Sequence, residues 1–273
     1  MEPVKIRRPA VAGQFYPSSE KELRRQIEKL IDKNSSLRDV IACMLPHAGY
    51  MYSGGVAAAT VSRVNLKTKI ILLGPNHTGY GPGFSIMTEG VWQTPLGQVN
   101  IDSILANTIL HHSQYLEADT QAHLYEHSLE VELPFLQYFK TDFEIVPILF
   151  MSSDLAMLKE TGKGIAAAVK DSDDKDSIMI IASSDMTHYE PQAQAQKKDQ
   201  EAIKAILELN EDKLMERIQR LNISMCGYAP VIVMLSAAKL LGAKSGSLVK
   251  YQTSGDVTGD KDSVVGYAGV IIY

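Results

Sequence analysis

The chain carries only two cysteines, Cys43 and Cys226, in 273 residues. That scarcity excludes a disulfide framework. In a chain able to bury a large core, it points to a reducing compartment. Positive charge is also in short supply: the net charge is −5 and the pI about 5.8. With no long basic run, nucleic acid is not expected as a partner. No apolar run is longer than a strand, so no membrane span is expected. The N-terminal MEPVKIRRPAVAGQFYP has charge but lacks the apolar stretch of a secretory signal. Together these absences lead us to expect a cytoplasmic protein. No composition break marks a linker and no short repeat recurs, so residues 1–273 read as a single domain.

What the chain does have is a recurring pattern. Residues 69–74, KIILLG, form an apolar run that Gly74 and Pro75 stop at once, with His77 two residues further on. Residues 40–45, VIACML, are followed by Pro46 and His47, and residues 177–182, SIMIIA, by SSDMTH with Asp185 and His188. Short apolar runs bounded by breakers read as strands buried on both faces. If the three are parallel neighbours, their histidines meet at one sheet edge, where open α/β sheets place ligands. Converging imidazoles suit a metal or acid–base site. A single histidine of this kind would be read as a packed loop residue; three carry more weight.

The remainder fits an α/β fold with a mostly parallel central sheet flanked by helices. Residues 1–17 are irregular, with prolines at 3, 9 and 17. Ser19 and Glu22 offer a capping box for a helix over 20–33, and 34–39 is a polar loop. Glycines 54 and 55 follow the first histidine loop, but no Walker lysine does. Further helices are expected over 56–64, 101–112, 155–169, 192–209, 211–221 and 231–241, and closing strands over 248–254 and 264–272. His111 and His112 suit a helix C-terminus. Pro147 demotes the strand over 143–150 to an edge or a bulge. In 123–139, HLYEHSLEVELPFLQYF, a helix must kink or restart at Pro134. His127 and Glu130 form HxxE rather than the zinc-protease HExxH, so Glu126, His127 and Glu130 read as lining or outer residues. Cys43 reads as a buried small hydrophobe. Cys226 precedes a glycine at a helix start, where the dipole would lower its pKa. Two histidines plus one thiolate would suit copper, zinc or iron.

The ordered segments RRPAVAGQFYP, LPHAGYMYSG, LLGPNHTGY, W-x-TPLG, EHSLEVELPFLQ, ASSDMTHY and MCGYAP resemble the Memo family along nearly the whole chain. That family is similar in fold to class III non-haem iron extradiol dioxygenases, which hold iron with two histidines and a glutamate and use a further histidine as acid–base catalyst. The resemblance implies His47 and His77 as metal ligands and puts Cys226 where the dioxygenases have their carboxylate. It implies His188 as the acid–base residue, with Asp185 beside it orienting a ring nitrogen. A thiolate in place of the carboxylate favours copper or thiolate-ligated iron and is itself oxidisable, so ring cleavage does not follow from the shared fold. Animal relatives are associated with signalling, phosphotyrosine-peptide binding and copper-dependent redox activity, microbial ones with radical-SAM and AMMECR1-like partners. Three functions follow as expectations. The first is a mononuclear metal redox protein or oxidoreductase using iron or copper. The second is a binding module for a small molecule or for an anionic or aromatic peptide group, in a crevice lined by Tyr50, Tyr52, Tyr189 and Tyr228. The third is a zinc hydrolase whose general-base glutamate has no evident position.

Overall fold

The three histidine-bearing runs are strands, and they lie side by side. The computed structural model describes residues 5–33 and 35–273; Pro3 of the irregular N-terminal segment and Asn34 of the polar loop lie outside them. The chain runs β1 (Ile6–Arg7), α1 (Glu20–Leu30), β2 (Ala42–Leu45), α2 (Gly54–Val61), β3 (Lys69–Pro75), β4 (Phe84–Ile86), β5 (Val91–Thr94) and β6 (Gly97–Asn100). It continues with α3 (Ser103–His112), β7 (Glu117–Ala118), α4 (Gln121–Leu124), α5 (Leu133–Phe139), β8 (Glu144–Phe150), α6 (Leu155–Asp171), β9 (Ile178–Ser183) and β10 (His188–Glu190). Then come α7 (Gln192–Leu207), α8 (Glu211–Leu221), α9 (Tyr228–Leu240), β11 (Gly246–Thr253), α10 (Gly255–Thr258) and β12 (Val264–Ile272).

The main sheet has the order β10-β12-β2-β9-β3-β8-β4-β7, with β11 on the other side of β12. Its centre, β2-β9-β3-β8, is parallel throughout. Antiparallel pairings of β12 with β2 and of β4 with β8 extend it on either side, so the whole sheet is mixed. The strands of the parallel centre are almost wholly buried, as a sheet covered on both faces requires. Gly269 meets Thr60 of α2, whereas Gly266, three residues earlier, meets Asp199 of α7. Residues an odd number apart on a strand face opposite ways, so α2 and α7 cover opposite faces. The register sets Leu45 of β2 against Ser183 of β9, and Ala182 of β9 against Leu73 of β3. Strand β9 is thus inserted between β2 and β3, and all three end at the same edge.

Several boundaries differ from the sequence reading for local reasons. Helix α1 stops at Leu30, and Ser19 caps it without a side-chain bond, so no capping box forms. Its buried Leu23 and Ile27 supply the anchoring, at roughly 1.5–3 kcal/mol each. Strand β8 is not an edge. The Pro147 carbonyl accepts from Met87 N–H just beyond β4. The missing Pro147 N–H points the same way, so the β4 ladder ends there. The residues before Pro134 form turns rather than helix, and α5 begins anew with the proline in its first turn.

A smaller sheet, β1-β5-β6, carries Arg7 into the core. Its guanidinium is stacked on Trp92, with 4.2 Å from Cζ to the ring centre, and is paired with Glu130. It also donates to the carbonyls of His123 and Glu126. His123 is fully buried, and among the described residues its only side-chain hydrogen-bond partner is Ser85 Oγ at 3.1 Å. Burial above all, with Arg7 adding to it, pushes its pKa down to about 3. The unfolded chain therefore binds this proton more readily, so stability rises with pH between about 3 and 6.5. We expect the protein to lose up to about 5 kcal/mol on going from pH 7 towards pH 3 through this group alone. His123→Gln should flatten that slope in urea unfolding curves taken at pH 7 and pH 5. An unchanged slope would show that His123 does not carry the acid lability.

Candidate metal centre

Pro46 ends the chain's run along β2, and the next side chain turns into the crevice at the sheet edge. His47 is 2% exposed. Its Nδ1 lies 2.8 Å from Ser183 Oγ at the end of β9, and its backbone N–H donates to Asp185 Oδ1 at 2.8 Å. Burial, reinforced by the neighbouring rings of His127, His77 and His188, holds its pKa well below the usual histidine range. The imidazole is neutral, as a metal ligand must be.

His77 is fixed from the other side. Its backbone N–H and its Nδ1 both bond Glu126, Nδ1 at 2.9 Å. Burial raises the Glu126 pKa, but the His77 bond and the charges of His77 and His127 outweigh it and hold the group at about 2. Glu126 belongs to a segment pressed against β3 at Gly74. A Cβ there would stand 2.6 Å from Leu129 and 2.8 Å from Ser128 Oγ, so the approach requires glycine. With Nδ1 committed to a partner on each ring, Nε2 of both histidines remains for a ligand role.

Cys226 arrives at the start of α9. Gly227 touches the end of β9 so closely that a Cβ would lie 2.3 Å from the Ser183 carbonyl. This contact brings Cys226 Sγ to 3.3 Å from His47 Nε2 and 3.7 Å from the Asp185 carbonyl. One donor atom each from His47, His77 and Cys226 lies within 4.8 Å of the others. Donors held roughly 2.0–2.3 Å from one ion stand about 3–4 Å apart, so this soft-donor set fits a single transition-metal ion. The thiol differs from expectation. Burial, followed by the Asp185 charge, raises its pKa far above the usual range.

His188 lines the same crevice but stands outside the donor cluster. Its Nδ1 lies 2.9 Å from the Ser224 carbonyl, and its N–H donates to Ser224 Oγ. A carbonyl only accepts, so Nδ1 carries the proton and Nε2 the lone pair. Asp185 does not orient this ring. Its carboxylate accepts from the backbone N–H groups of His47 and Ala48, tying the β9–β10 loop to the loop after β2. Sequence order could not show this, because it depends on β9 lying beside β2. His127 is stacked on the His77 ring at 4.8 Å and is edge-on to His47 at 5.5 Å. It lines the crevice, while Glu130 faces the opposite way, onto Arg7, Tyr16 and the backbone of Ala10 and Val11.

Of the four tyrosines expected around the site, Tyr52 and Tyr189 line it, joined by Phe15 and Tyr267. Tyr50 is buried against Phe135, and its hydroxyl donates to the Val131 carbonyl. Tyr228 is not part of the lining. Tyr189 sits at a register shift in β10 with φ of 58°, the residue 79% exposed at the mouth. Bulges next to sites re-aim side chains in this way. Ser183, Ser224 and Glu132 were not singled out from the sequence. The only signal for Ser183 is its place directly after an apolar run. Among the described residues no helix is long and apolar enough to cross a membrane.

A family model described as Memo-like protein matches residues 7–271. A MEMO1 family protein of Methanocaldococcus jannaschii is 45% identical, over 98% of this chain and 99% of its own. One from Methanococcoides burtonii is 46% identical over 98% and 100%, and one from Aquifex aeolicus 42% over 98% and 99%. A crystal structure of an uncharacterized protein from Escherichia coli K12 superposes with a TM-score of 0.58 over 84% of this chain and 98% of that one. At 17% identity, that likeness concerns the fold. The chain belongs to the Memo-like family.

Proposed function

We propose that this Memo-like protein is a mononuclear metal-binding redox protein or oxidoreductase, with His47, His77 and Cys226 holding iron or copper. The observation that carries the reading is the donor cluster: two neutral-capable imidazoles and one thiol, each from a different loop at the same sheet edge. A thiolate among the donors favours a soft or redox-active ion. Bound there, such an ion would supply one-electron chemistry and polarise a substrate oxygen. His188 Nε2 would take or give the proton that accompanies it, because its Nδ1 proton is committed to Ser224 and burial keeps the ring neutral near pH 7. Asp185 would act by fixing the His47 backbone rather than by proton transfer.

A binding module is the second reading, favoured by the aromatic wall of Phe15, Tyr52, Tyr189 and Tyr267. That wall suits a small aromatic molecule or a peptide side chain, and radical-SAM and AMMECR1-like proteins stand as proposed partners on the family resemblance. Zinc hydrolysis has less support, because no glutamate is among the described lining residues. A reducing, cytoplasmic location agrees with two free cysteines. Metal analysis of protein purified without chelator tests the reading. We expect iron or copper at near-unit stoichiometry. Zinc would favour the hydrolase, and metal-free protein the binding module.

A further inference from the structure

The segment that fixes His77 holds a third buried acid, Glu132, with no role in the site as described so far. Glu126, Ser128, Glu130 and Glu132 are each 0% exposed. Glu126 bonds His77 and Glu130 bonds Arg7, but among the described residues no cation meets Glu132. Its Oε1 lies 2.9 Å from Ser183 Oγ, and its Oε2 has no hydrogen-bond partner among the described residues. The groups that face it are Ser183 of β9, Asp185 beyond β9, Cys43 of β2, and Tyr50 from the loop before α2. None of these is cationic. The same Ser183 Oγ lies 2.8 Å from His47 Nδ1 and 2.7 Å from the Ser128 carbonyl.

The donor inventory decides how these bonds run. A serine hydroxyl has one proton to give and can accept two. The Ser128 carbonyl can only accept. All three contacts are satisfied together only when Ser183 donates to Ser128, His47 donates from Nδ1, and Glu132 donates as a neutral acid. Burial raises the Glu132 pKa in agreement with this. If Glu132 ionises, the hydroxyl turns to it and His47 still donates to Ser183. The second arrangement places a negative charge one hydroxyl behind His47, a charge that nothing in the metal-free site compensates.

We propose that Glu132 is a positioning and charge-balancing residue for His47, acting through Ser183: it is a neutral acid in the metal-free protein and releases its proton to solvent when a cation seats beyond His47. Both arrangements keep the His47 proton on Nδ1 and leave Nε2 towards Cys226. The inference rests on the reading of His47 as a metal ligand.

The test is calorimetric titration of chelator-treated full-length protein with Zn(II) in buffers of different ionisation enthalpy, which counts protons released per ion bound. Ligand deprotonation alone releases the Cys226 proton. Glu132→Gln preserves shape and can still donate to Ser183, but cannot ionise. We expect Glu132→Gln to release about one proton fewer per ion than the wild type, and Ser183→Ala to bind Zn(II) about 10–100-fold more weakly. In infrared difference spectra the metal-free wild type should show a carboxylic-acid carbonyl band that Glu132→Gln lacks, and that band should vanish on Zn(II) addition. Equal proton counts for wild type and Glu132→Gln, or a band that persists with Zn(II) bound, would overturn this inference alone. A wild type that binds no Zn(II) would overturn it together with the metal reading.

Discussion

His47→Ala and His77→Ala proteins are expected to come through purification without bound metal, whereas His188→Ala keeps most of it and loses redox cycling. Each of the first two removes one of three donors whose atoms already lie within 4.8 Å of one another, and two donors do not define a site for a mononuclear ion. His188 lies outside that cluster, its Nδ1 tied to the Ser224 carbonyl. Losing it leaves the donors in place; an outer partner typically costs about 10–100-fold in affinity or activity. Asp185→Asn is expected to weaken metal binding rather than to mimic His188→Ala, because the side chain holds the His47 backbone. Metal content by mass spectrometry on matched preparations, with circular dichroism to verify folding, reads all of these. A folded His188→Ala as metal-free as His47→Ala would make His188 a ligand.

The second large effect concerns the anchor beneath the site. Glu130 gathers Arg7, the backbone N–H groups of Ala10 and Val11, and the Tyr16 hydroxyl, all around a carboxylate with no exposed side-chain surface. Removing one member of a buried pair strands the other charge, at a cost of about 3–5 kcal/mol. We expect Glu130→Ala to lose that much in urea unfolding. Because the same segment carries Glu126 and Glu132, metal affinity should fall with it. Arg7→Met should cost a similar amount, because it strands the buried Glu130 carboxylate and leaves the His123 and Glu126 carbonyls without their donor. A Glu130→Ala protein within about 1 kcal/mol of wild type would show that the pair contributes little.

Much of this architecture is readable from the chain. The strands β2, β3 and β9 announce themselves as apolar runs cut off by breakers, and the histidines that follow them suggest a shared sheet edge; their order, with β9 between β2 and β3, comes from the structure. The choice of His47, His77 and Cys226 as donors rests on the family resemblance, and the geometry of the described residues brings the three together. Other features were hidden for physical reasons. Asp185 looks like a partner for His188 three residues away, yet it bonds the backbone of His47 across the sheet, a contact set by the insertion of β9 between β2 and β3. The segment holding the buried Glu126, Ser128, Glu130 and Glu132 looks like helix in the sequence, because its leucines fall at helical spacing. In fact it is a run of turns packed on Gly74, and only that packing explains three buried acids. For the Cys226 thiol, burial raises the pKa, against the lowering that a helix start alone suggests. Pro147 misleads because its missing donor falls just where β4 stops.

X-ray absorption at the edge of the bound metal tests the central claim most directly, since it counts sulfur and nitrogen neighbours without reference to any activity. For the reconstituted wild type we predict one sulfur at about 2.3 Å and histidine nitrogens at about 2.0–2.1 Å, with the sulfur shell lost in Cys226→Ser. A shell of nitrogen and oxygen alone in the wild type would mean that Cys226 is not a ligand, and would contradict the account.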